Sequence, residues 1–357
     1  MKIIHCADLH IDCRKFQKFS AEKREIKRSQ LLQNFVDLVD FAEKNCVDAV
    51  LLCGDIFDDK KPLKRSLKVV QDTILAHKNI KFFYIWGNHD ENVHLFDNTP
   101  ENFVEFGENF GKFSFGNIEI GGVSFKRHFD DDFYDSITFD KNKFNILMLH
   151  SQVVSDKYFE AVDLKRLENK GIDYLAFGHI HKRDCGRFGK RGVWNYVGCL
   201  EANSFANTGK CGFNLLDIGD EKYTNSFVPF SKYDYQEATI DVSNLTTTSQ
   251  LNDLVGQALD KFSSTDIVRI VLRGKRKEDL KINVGVIEET FKNKVFYLEV
   301  EDDSRIDFDL EKYANETLSL KAEFIRLVMA DESLSVEEKQ QICESGIEAL
   351  KGEEVSL

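Results

Sequence analysis

The first half of the chain alternates short apolar runs with longer amphipathic stretches. Residues 3–6, 49–53 and 82–86 are apolar on both faces and end at polar residues or glycine, which is typical of buried strands. Between these runs, apolar residues recur every three or four positions over residues 31–42 and 63–75, as on helices that bury one face. The pattern predicts the order β-α-β-α-β and therefore an α/β fold built on a layered sheet.

The second half of the chain contains further regions with their own patterns. Strands are predicted at residues 145–149 and 174–177, and residues 193–229 are rich in glycine and turn residues, which indicates more strands. Beyond these, predicted strands and helices alternate over residues 238–242, 251–259, 267–272, 284–291 and 295–300. We interpret this alternation as a small second domain of α+β type.

The last part of the chain is acidic and helical in pattern. Residues 301–357 contain 16 Asp or Glu and 6 Lys or Arg, so most of the net charge of −13 lies there. Residues 318–329 place apolar side chains on one helical face, and Ser335 begins a capping-box pattern ahead of a second helix. Because two short helices do not form a core of their own, they either pack on the rest of the chain or bind another protein.

Length and composition limit the class of protein. At 357 residues two or three domains are expected, and we place their limits at residues 1–232, 233–301 and 302–357. The hydrophobic share of 42% and the charged share of 31% are those of a folded protein and exclude wholesale disorder. The negative net charge excludes a cationic protein that coats DNA.

Several features predict a cytoplasmic location. The apolar runs are about five residues long, whereas a spanning helix needs roughly 18 or more, so we expect no membrane interaction. The amino terminus lacks a signal-peptide pattern. Eight cysteines without a Cys-x-x-Cys pair favour reduced, packed thiols over a disulfide framework or a thiolate zinc site.

Side chains of metal-binding types follow each predicted strand of the first half. The motifs are Asp8-Leu9-His10, Gly54-Asp55-Ile56-Phe57-Asp58, Gly87-Asn88-His89-Asp90, His150 and Gly178-His179-Ile180-His181. Because the carboxyl ends of strands share one edge of an α/β sheet, these side chains are expected to meet in one site. The glycines that precede Asp55, Asn88 and His179 are expected to allow a sharp turn from strand into loop.

The types and number of these ligands indicate a two-metal site. Imidazole, carboxylate and amide ligands without thiolate favour Mn²⁺, Fe or a mixed site over a structural zinc. A single Asp-x-His or His-x-His pair is a weak signal, but a series of such motifs, each after an apolar strand, is a strong one.

The set of motifs resembles that of the calcineurin-like metallophosphoesterases. Asp90 after the Gly-Asn-His sequence, Asp59 where protein phosphatases carry an arginine, and the small domain that follows resemble the SbcD-type DNA repair exonucleases in particular. The resemblance implies a four-layer sandwich of two β-sheets flanked by helices, with a small α+β capping domain and a C-terminal helical pair. The arginine of phosphatases grips a phosphate monoester, so its absence favours diester substrates.

The resemblance also implies roles for individual residues. One of two divalent ions, with Mn²⁺ preferred, is expected on Asp8, His10, Asp55 and His181. The other is expected on Asp55, Asn88, His150 and His179, with Asp55 as the bridge. His89 is the expected proton donor to the leaving 3′ oxygen or stabiliser of the transition state, and Asp58 is expected to hold its ring.

The SbcD-type relatives imply hydrolysis of DNA phosphodiester bonds, as a 3′ to 5′ exonuclease and as an endonuclease, in double-strand break repair. They also imply a partner, an SbcC-type ATPase whose coiled coil the helical tail binds. Self-packing of the tail and a homodimer are the alternatives. The capping domain is expected to orient DNA through backbone contacts of Arg273, Lys275, Arg276, Lys277 and Lys281.

Three basic segments follow the metal-binding motifs. Residues 14–28, 60–68 and 182–191 hold 17 of the 48 Lys and Arg residues and only 3 acidic residues. If these segments share the edge with the metals, they form a basic rim that attracts phosphate without reading sequence. If they do not, each simply solvates a helix face. The candidates for DNA contacts are Arg14, Lys15, Lys18, Lys60, Lys61, Lys64, Lys182 and Arg183.

Three functions compete on these observations. The first is a Mn²⁺-dependent DNA nuclease that works with an ATPase. The second is a small-molecule phosphodiesterase or phosphatase on the same two-metal scaffold, and the third is a DNA-end-binding scaffold protein. The complete ligand set argues against the third. The basic segments, capping domain and tail favour the first over the second, because a small substrate needs none of them.

Overall fold

The computed structural model describes residues 1–153, 161–219, 222–307 and 319–351. The chain divides into two compact units, Met1–Gln236 and Glu237–Leu357. The described elements of the first unit are β1 (Lys2–Cys6), α1 (Ala21–Lys44), β2 (Ala49–Cys53), α2 (Lys64–Ala76), β3 (Lys81–Ile85), β4 (Phe103–Glu105), β5 (Gly111–Phe115), β6 (Ile118–Val123), α3 (Asp131–Ser136), β7 (Phe144–His150), β8 (Gln152–Val153), β9 (Ala161–Val162), α4 (Leu164–Leu167), β10 (Tyr174–Gly178), β11 (Asp184–Phe188), β12 (Gly192–Tyr196), β13 (Gly212–Ile218) and β14 (Tyr223–Pro229).

Six strands of the first unit form a sheet in the order β14-β13-β1-β2-β3-β4. Strands β1 to β4 run parallel, and β13 pairs antiparallel with β1. Helices α1 and α2 connect the parallel neighbours, which cannot be joined by a tight hairpin. Phe35 and Leu38 of α1 share a buried apolar cluster with Ile3 and Leu51 of the strands. The amphipathic pattern thus places this helix on the sheet.

A second six-stranded sheet has the order β11-β12-β10-β7-β6-β5. Successive side chains of β7 point to opposite faces, as the strand geometry requires. Ile146 and Met148 belong to the core shared with the first sheet, whereas Leu147 and Leu149 pack with Phe133 of α3. The two sheets therefore pack face to face between helices, and the predicted four-layer α/β architecture is confirmed.

The second unit is built on a three-stranded sheet in the order β15-β16-β17. Its described elements are β15 (Tyr235–Asp241), α5 (Thr248–Leu259), β16 (Ile267–Lys277), α6 (Val284–Phe291), β17 (Tyr297–Asp307), α7 (Leu320–Ala330) and α8 (Val336–Lys351). Leu251 of α5 and Ile287 of α6 are buried in one core with Val268 and Ile270 of β16. Because β17 continues to Asp307, the domain limit expected at residue 301 falls inside a strand.

The two C-terminal helices pack on each other. Ile325 of α7 forms a small buried cluster with Cys343 and Ile347 of α8, and Ile306 of β17 lies against it. Self-packing, one of the alternatives left open by the sequence, therefore accounts for the inner faces of this helical pair.

The outer surface of the helical pair is apolar in places. Leu327 is 66% exposed and Val336 is 76% exposed. The capping box expected at Ser335 is formed, because its N–H donates to Oε2 of Glu338 at 2.8 Å. Position 318, assigned to the same helical face from the sequence, lies outside the described residues.

Basic side chains of the second unit are engaged within that unit. Arg273 pairs with Asp303 at 3.2 Å, and Lys275 pairs with Glu344 at 3.5 Å. Arg276 donates to the carbonyl of Leu280 at 2.8 Å. These exposed pairs are weak, so they leave the predicted DNA contacts of this unit as predictions.

All eight cysteines are free thiols, and only Cys46 and Cys185 are exposed. Among the helices of the described ranges, none is both long and apolar enough to cross a bilayer.

Candidate metal centre

The predicted metal ligands lie where parallel strands of both sheets end. In the first sheet, β1, β2 and β3 are followed within three residues by Asp8, Asp55 and Asn88. In the second sheet, β7 ends at His150 and β10 ends just before His179. The face-to-face packing of the two sheets brings these strand ends together.

Left-handed backbone conformations occur at several of these residues. The φ angle is +53° at Asp8, +46° at His10, +52° at Asp55 and +91° at His179. This region costs a non-glycine residue about 1–2 kcal/mol. The loops after β1 and β2 hold each other in it, because the backbone N–H of Asp8 donates to the carbonyl of Gly54 at 3.1 Å and that of His10 to Asp55 at 3.0 Å.

The motif glycines mainly leave space for the ligands. A Cβ atom at Gly54 would lie 2.2 Å from Nδ1 of His150, and one at Gly87 would lie 2.2 Å from Oδ1 of Asp55. Of the glycines at 54, 87 and 178, only Gly54 has a left-handed φ, at +85°. The expected sharp turn therefore explains one glycine, whereas close approach explains the others.

The candidate ligands form two adjoining groups. In the first, donor atoms of Asp8, His10 and His181 lie within 4.8 Å of one another. In the second, Oδ1 of Asn88 is 3.1 Å from Nε2 of His150 and 2.9 Å from Nδ1 of His179.

Asp55 lies between the two groups. Its Oδ2 is 3.9 Å from Nε2 of His10 and 3.4 Å from Nε2 of His150. The arrangement matches the two ligand sets and the bridge that the resemblance implied. The role of each residue as a ligand stays a prediction.

The chemistry of this cluster fits divalent cations. Asp8 is 0% and Asp55 is 1% exposed, and among the described residues their ion pairs are made with imidazoles alone. Buried carboxylates need a compensating charge, and a metal ion supplies it. Burial raises the pKa of Asp8 to about 7. Burial also favours a raised pKa at Asp55, but the charge and hydrogen bond of His150, together with the charge of His10, outweigh burial and hold that pKa below its usual range.

Two of the imidazoles are held in the neutral form that binds metals. Burial, followed by the charge of His150, lowers the pKa of His179 to about 4. Burial, followed by the charge of His10, lowers the pKa of His181 to about 3. Both rings therefore keep a free lone pair at neutral pH.

Two other imidazoles are oriented from behind. Nδ1 of His10 is 2.9 Å from Oδ1 of Asp58, and Nδ1 of His150 is 2.9 Å from the carbonyl of Cys53. Because both partners accept hydrogen bonds, each Nδ1 carries the proton and each Nε2 is left to face the cluster.

Asp90 joins the loops after β2 and β3. Its carboxylate accepts the backbone N–H of Ile56 and of Gly87, both at 2.7 Å. It also accepts those of Asp55 and Phe57, each at 3.2 Å. These contacts give Asp90 a structural role.

The structure gives Asp58 a different partner from the one expected. Its carboxylate bonds to His10, whereas Oδ1 lies 3.7 Å from Nδ1 of His89. The ring of His89 is held instead by the backbone carbonyl of Asp58, at 3.2 Å. The rings of His10 and His89 stand edge-on to each other with their centroids 4.8 Å apart. Both rings therefore lie beside the same carboxylate, and the ring of His10 is the one close enough to hydrogen-bond to it.

Some of the predicted DNA-binding residues share cavities with the site. An open cavity of about 500 Å³ is lined by Asp58, Asp59, Lys60, Lys61, Asn88 and His89. A second, of about 290 Å³, places Lys182 and Arg183 beside His181. Lys15 lies near enough to Asp58 and His181 for its charge to act on both.

Other members of the basic segments lie elsewhere. Arg14 lines a separate cavity of about 150 Å³ with Arg28 and Arg65. Lys18 and Lys64 are exposed but line none of these cavities.

The basic rim is smaller than the charge count suggested. Lys27 is fully buried and pairs with Glu201. Arg191 pairs with Asp173 next to the amino end of β12, at the opposite end of the strands.

Two side chains at the site were missed from the sequence. The amide of Gln152 is 3.3 Å from Nε2 of His179, and that of Asn207 is 3.3 Å from Nδ1 of His181. Gln152 follows His150 by two positions, so alternation in an extended segment gave a weak signal for it. No spacing pattern marks Asn207, which lies in the loop between β12 and β13.

Several proteins are similar to this chain. The uncharacterized metallophosphoesterase YhaO of Bacillus subtilis is 28% identical over an alignment of 358 positions, gaps included, which covers 89% of this chain and 84% of that protein. The DNA double-strand break repair protein Mre11 of Methanosarcina acetivorans is 26% identical over 258 residues, covering 68% of this chain and 41% of that protein. The SbcD component of the nuclease SbcCD of Staphylococcus epidermidis is 25% identical over 275 residues, covering 64% of this chain and 69% of that protein.

The family match covers the whole metal centre. Residues 1–183 match the calcineurin-like phosphoesterases, and this segment, more than half of the chain, contains every strand-end motif described above. The resemblance read from the motifs is therefore confirmed, and the chain belongs to the calcineurin-like phosphoesterase family.

Proposed function

We propose that this protein is a metal-dependent DNA nuclease that hydrolyses phosphodiester bonds, 3′ to 5′, in double-strand break repair in the cytoplasm. We further propose Mn²⁺ as its metal and an SbcC-type ATPase as its partner. The observation that carries the proposal is the cavity in which His89 and Asn88 of the site stand beside Lys60 and Lys61. The similarity to Mre11 and to the SbcD component of SbcCD supports it.

Seven side chains would hold the ions. Asp8, His10, Asp55 and His181 form one set, and Asp55, Asn88, His150 and His179 form the other. Lewis-acid activation of water and of the phosphate is the chemistry that such ions supply when bound.

His89 is suited to transfer a proton at the edge of this cluster. Its backbone N–H donates to Oδ1 of Asp55 at 2.9 Å, and its Nδ1–H donates to the carbonyl of Asp58 at 3.2 Å. These bonds fix the ring, whose side chain is 36% exposed, and leave Nε2 to exchange a proton with a leaving oxygen.

The surroundings of His89 favour a diester in a polyanion. Asp59 and two lysines line the cavity where a protein phosphatase carries its arginine. Lysines act on phosphate as point charges without bidentate recognition, so they suit a backbone that is read by charge alone.

End-labelled duplex DNA tests the nuclease directly. With Mn²⁺, we expect the wild type to shorten DNA from the 3′ end. His89→Ala should lose about 10²–10⁴-fold in rate while still binding Mn²⁺, and Asp55→Ala should lose both. Absence of cleavage by the wild type, with turnover of cyclic nucleotides instead, would establish the small-molecule phosphodiesterase.

Charge reversal tests the basic rim. The triple variant Lys60→Glu, Lys61→Glu, Lys64→Glu should weaken DNA cleavage and spare hydrolysis of bis(p-nitrophenyl) phosphate. Lys78→Glu is the matched control, because Lys78 is exposed and precedes the amino end of β3. Equal losses on both substrates would contradict a role in holding DNA.

Truncation tests the ATPase partner. The cut belongs after Asp307, since a cut at residue 301 would divide β17. The shortened chain should keep Mn²⁺-dependent cleavage and lose binding to the SbcC-type ATPase of the same organism. Retained binding would refute the assignment, and a change from dimer to monomer would favour the homodimer.

A further inference from the structure

The outward-facing nitrogens of all four histidines in the predicted ligand sets are engaged. For His10 and His150 the partners are a carboxylate and a backbone carbonyl, which only accept hydrogen bonds. For His179 and His181 the partners are the carboxamides of Gln152 and Asn207, whose Nε2 and Nδ2 atoms lie 3.3 Å from the rings and exchange places with the amide oxygens on a half-turn. Each carboxamide thus occupies the position that an obligate acceptor holds at the other two rings.

The inner nitrogens show which side of each ring faces the cluster. Nδ1 of His179 is 2.9 Å from Oδ1 of Asn88. Nε2 of His181 is 2.9 Å from Nε2 of His10 and 3.8 Å from Oδ1 of Asp8. Gln152 and Asn207 therefore contact the nitrogens that point away from the ligand cluster.

A neutral imidazole that binds a cation through one nitrogen carries its proton on the other. That outer N–H needs an acceptor. A carboxamide has an oxygen at one end and an NH₂ group at the other, and a half-turn exchanges them without moving the side chain. Gln152 and Asn207 can therefore accept from the outer N–H only in the orientation that presents oxygen.

Neither carboxamide has another task in the described part of the chain. Within the described ranges, the amide of Gln152, at the start of β8, makes no second hydrogen bond. Asn207 uses its backbone N–H in a turn to the carbonyl of Ser204 at 3.2 Å, and among the described residues its amide hydrogen-bonds to His181 alone. Its neighbours Ala206 and Thr208 are exposed, so it does not fill a core.

We propose that Gln152 and Asn207 are positioning residues, which hold His179 and His181 in the tautomer and orientation that bind the two metal ions. The proposal rests on the two-metal site of the proposed function. Asn207 acts on the group with Asp8 and His10, whereas Gln152 acts on the group with Asn88 and His150. Each residue therefore acts on a histidine from the ligand set of one ion.

Mn²⁺ binding to the metal-free, full-length protein tests this, with free Mn²⁺ followed by electron paramagnetic resonance. Asn207→Leu and Gln152→Met remove the acceptor at similar size. Each should weaken one of two Mn²⁺ equivalents by about 10–100-fold, as the loss of such partners does at other metal sites. Asn207→Asp and Gln152→Glu keep an acceptor and should bind Mn²⁺ at least as tightly as the wild type.

Controls separate positioning from folding. Thr208→Val alters the same loop at a residue that makes no hydrogen bond to an imidazole within the described ranges, and this variant should bind both equivalents normally. Urea unfolding of the metal-free variants should match the wild type, and the two residues are scored separately in case one variant fails to fold. Unchanged Mn²⁺ binding by both apolar variants overturns the proposal, and so do acidic variants as weak as the apolar ones. If the wild type binds Mn²⁺ normally but does not cleave DNA, this result counts against the proposed nuclease activity and leaves the positioning roles of Gln152 and Asn207 to be decided by the variants.

Discussion

Replacing Gly87 by alanine should damage the metal centre through one methyl group. The new Cβ would lie 2.2 Å from Oδ1 of Asp55, 2.7 Å from its backbone N and 2.7 Å from Cε1 of His150. Ordinary contacts at such a position begin near 3.4 Å. The carboxylate of Asp55, the predicted bridge, must therefore move by about 1 Å, a displacement that lowers the rate about 10²-fold in well-aligned sites.

The neighbours of Gly87 have little freedom to move away. Oδ1 of Asp55 accepts the N–H of His89 at 2.9 Å, and its backbone N–H donates to Asp90 at 3.2 Å. His150 is held by the carbonyl of Cys53. Overpacking of this kind costs about 1–3 kcal/mol in stability. For a unit of this size, that is about 2–12 °C in Tm.

Calorimetry of the metal-free protein and a Mn²⁺ titration measure the two effects. We expect Gly87→Ala to lower the Tm of the first unit and to weaken Mn²⁺ binding by tenfold or more, since the distances from ligand atoms to a metal ion tolerate changes of only about 0.2 Å. Gly107→Ala is the control, because its Cβ would meet nothing nearer than Cη2 of Trp86 at 3.9 Å. A Gly87→Ala protein with wild-type Tm and Mn²⁺ affinity would refute the close-approach explanation.

Three further outcomes follow from buried groups. Lys27→Met should lower the free energy of unfolding by about 3–5 kcal/mol, because it leaves the carboxylate of Glu201 buried without its cation. The double variant Lys27→Met/Glu201→Gln should recover most of this free energy, as measured by urea unfolding. No recovery would contradict a stabilising ion pair between the two residues. Burial lowers the pKa of His5 to about 3, while the unfolded chain titrates near 6.5, so protons bind the unfolded state first. As the pH is lowered from 6.5, the free energy of unfolding should therefore decrease by up to about 1.4 kcal/mol per pH unit. Urea midpoints measured from pH 7 down to pH 5 should fall less steeply in His5→Gln than in the wild type. Equal slopes would count against this role of His5. Asp90→Asn replaces an acceptor of four backbone N–H groups by an amide. The free energy of unfolding should therefore decrease by about 1–3 kcal/mol, and the affinity for Mn²⁺ should fall. Unchanged values in both measurements would show that the loops after β2 and β3 keep their conformation without this carboxylate.

The sequence predicted the elements and the place of the site because both depend on local patterns. Fully apolar runs such as residues 49–53 define a buried strand whatever surrounds them, and the ligands come directly after such runs. Asp8 and His181 are far apart in sequence, yet the shared strand edge was enough to expect them together.

The sequence could not predict which partner each side chain selects. Asp58 was expected to hold His89, but the competition with His10 is decided by distances of less than 1 Å. Lys27 looked like part of a basic segment, because charge patterns do not show that Glu201 would be buried opposite it. Asn207 was missed for the same reason, since its contact with His181 depends on a loop from another part of the chain.

The left-handed backbone at Asp8, His10, Asp55 and His179 creates a conflict between the stability of the fold and the predicted binding of metal ions. Each such residue carries a conformational penalty that glycine does not. Selection for heat resistance in the absence of metal should therefore favour glycine at these positions, and each gain would remove a predicted ligand. Glycine at Cys46 or Asn92, which share this backbone conformation but are not predicted ligands, would relieve the same penalty without that loss.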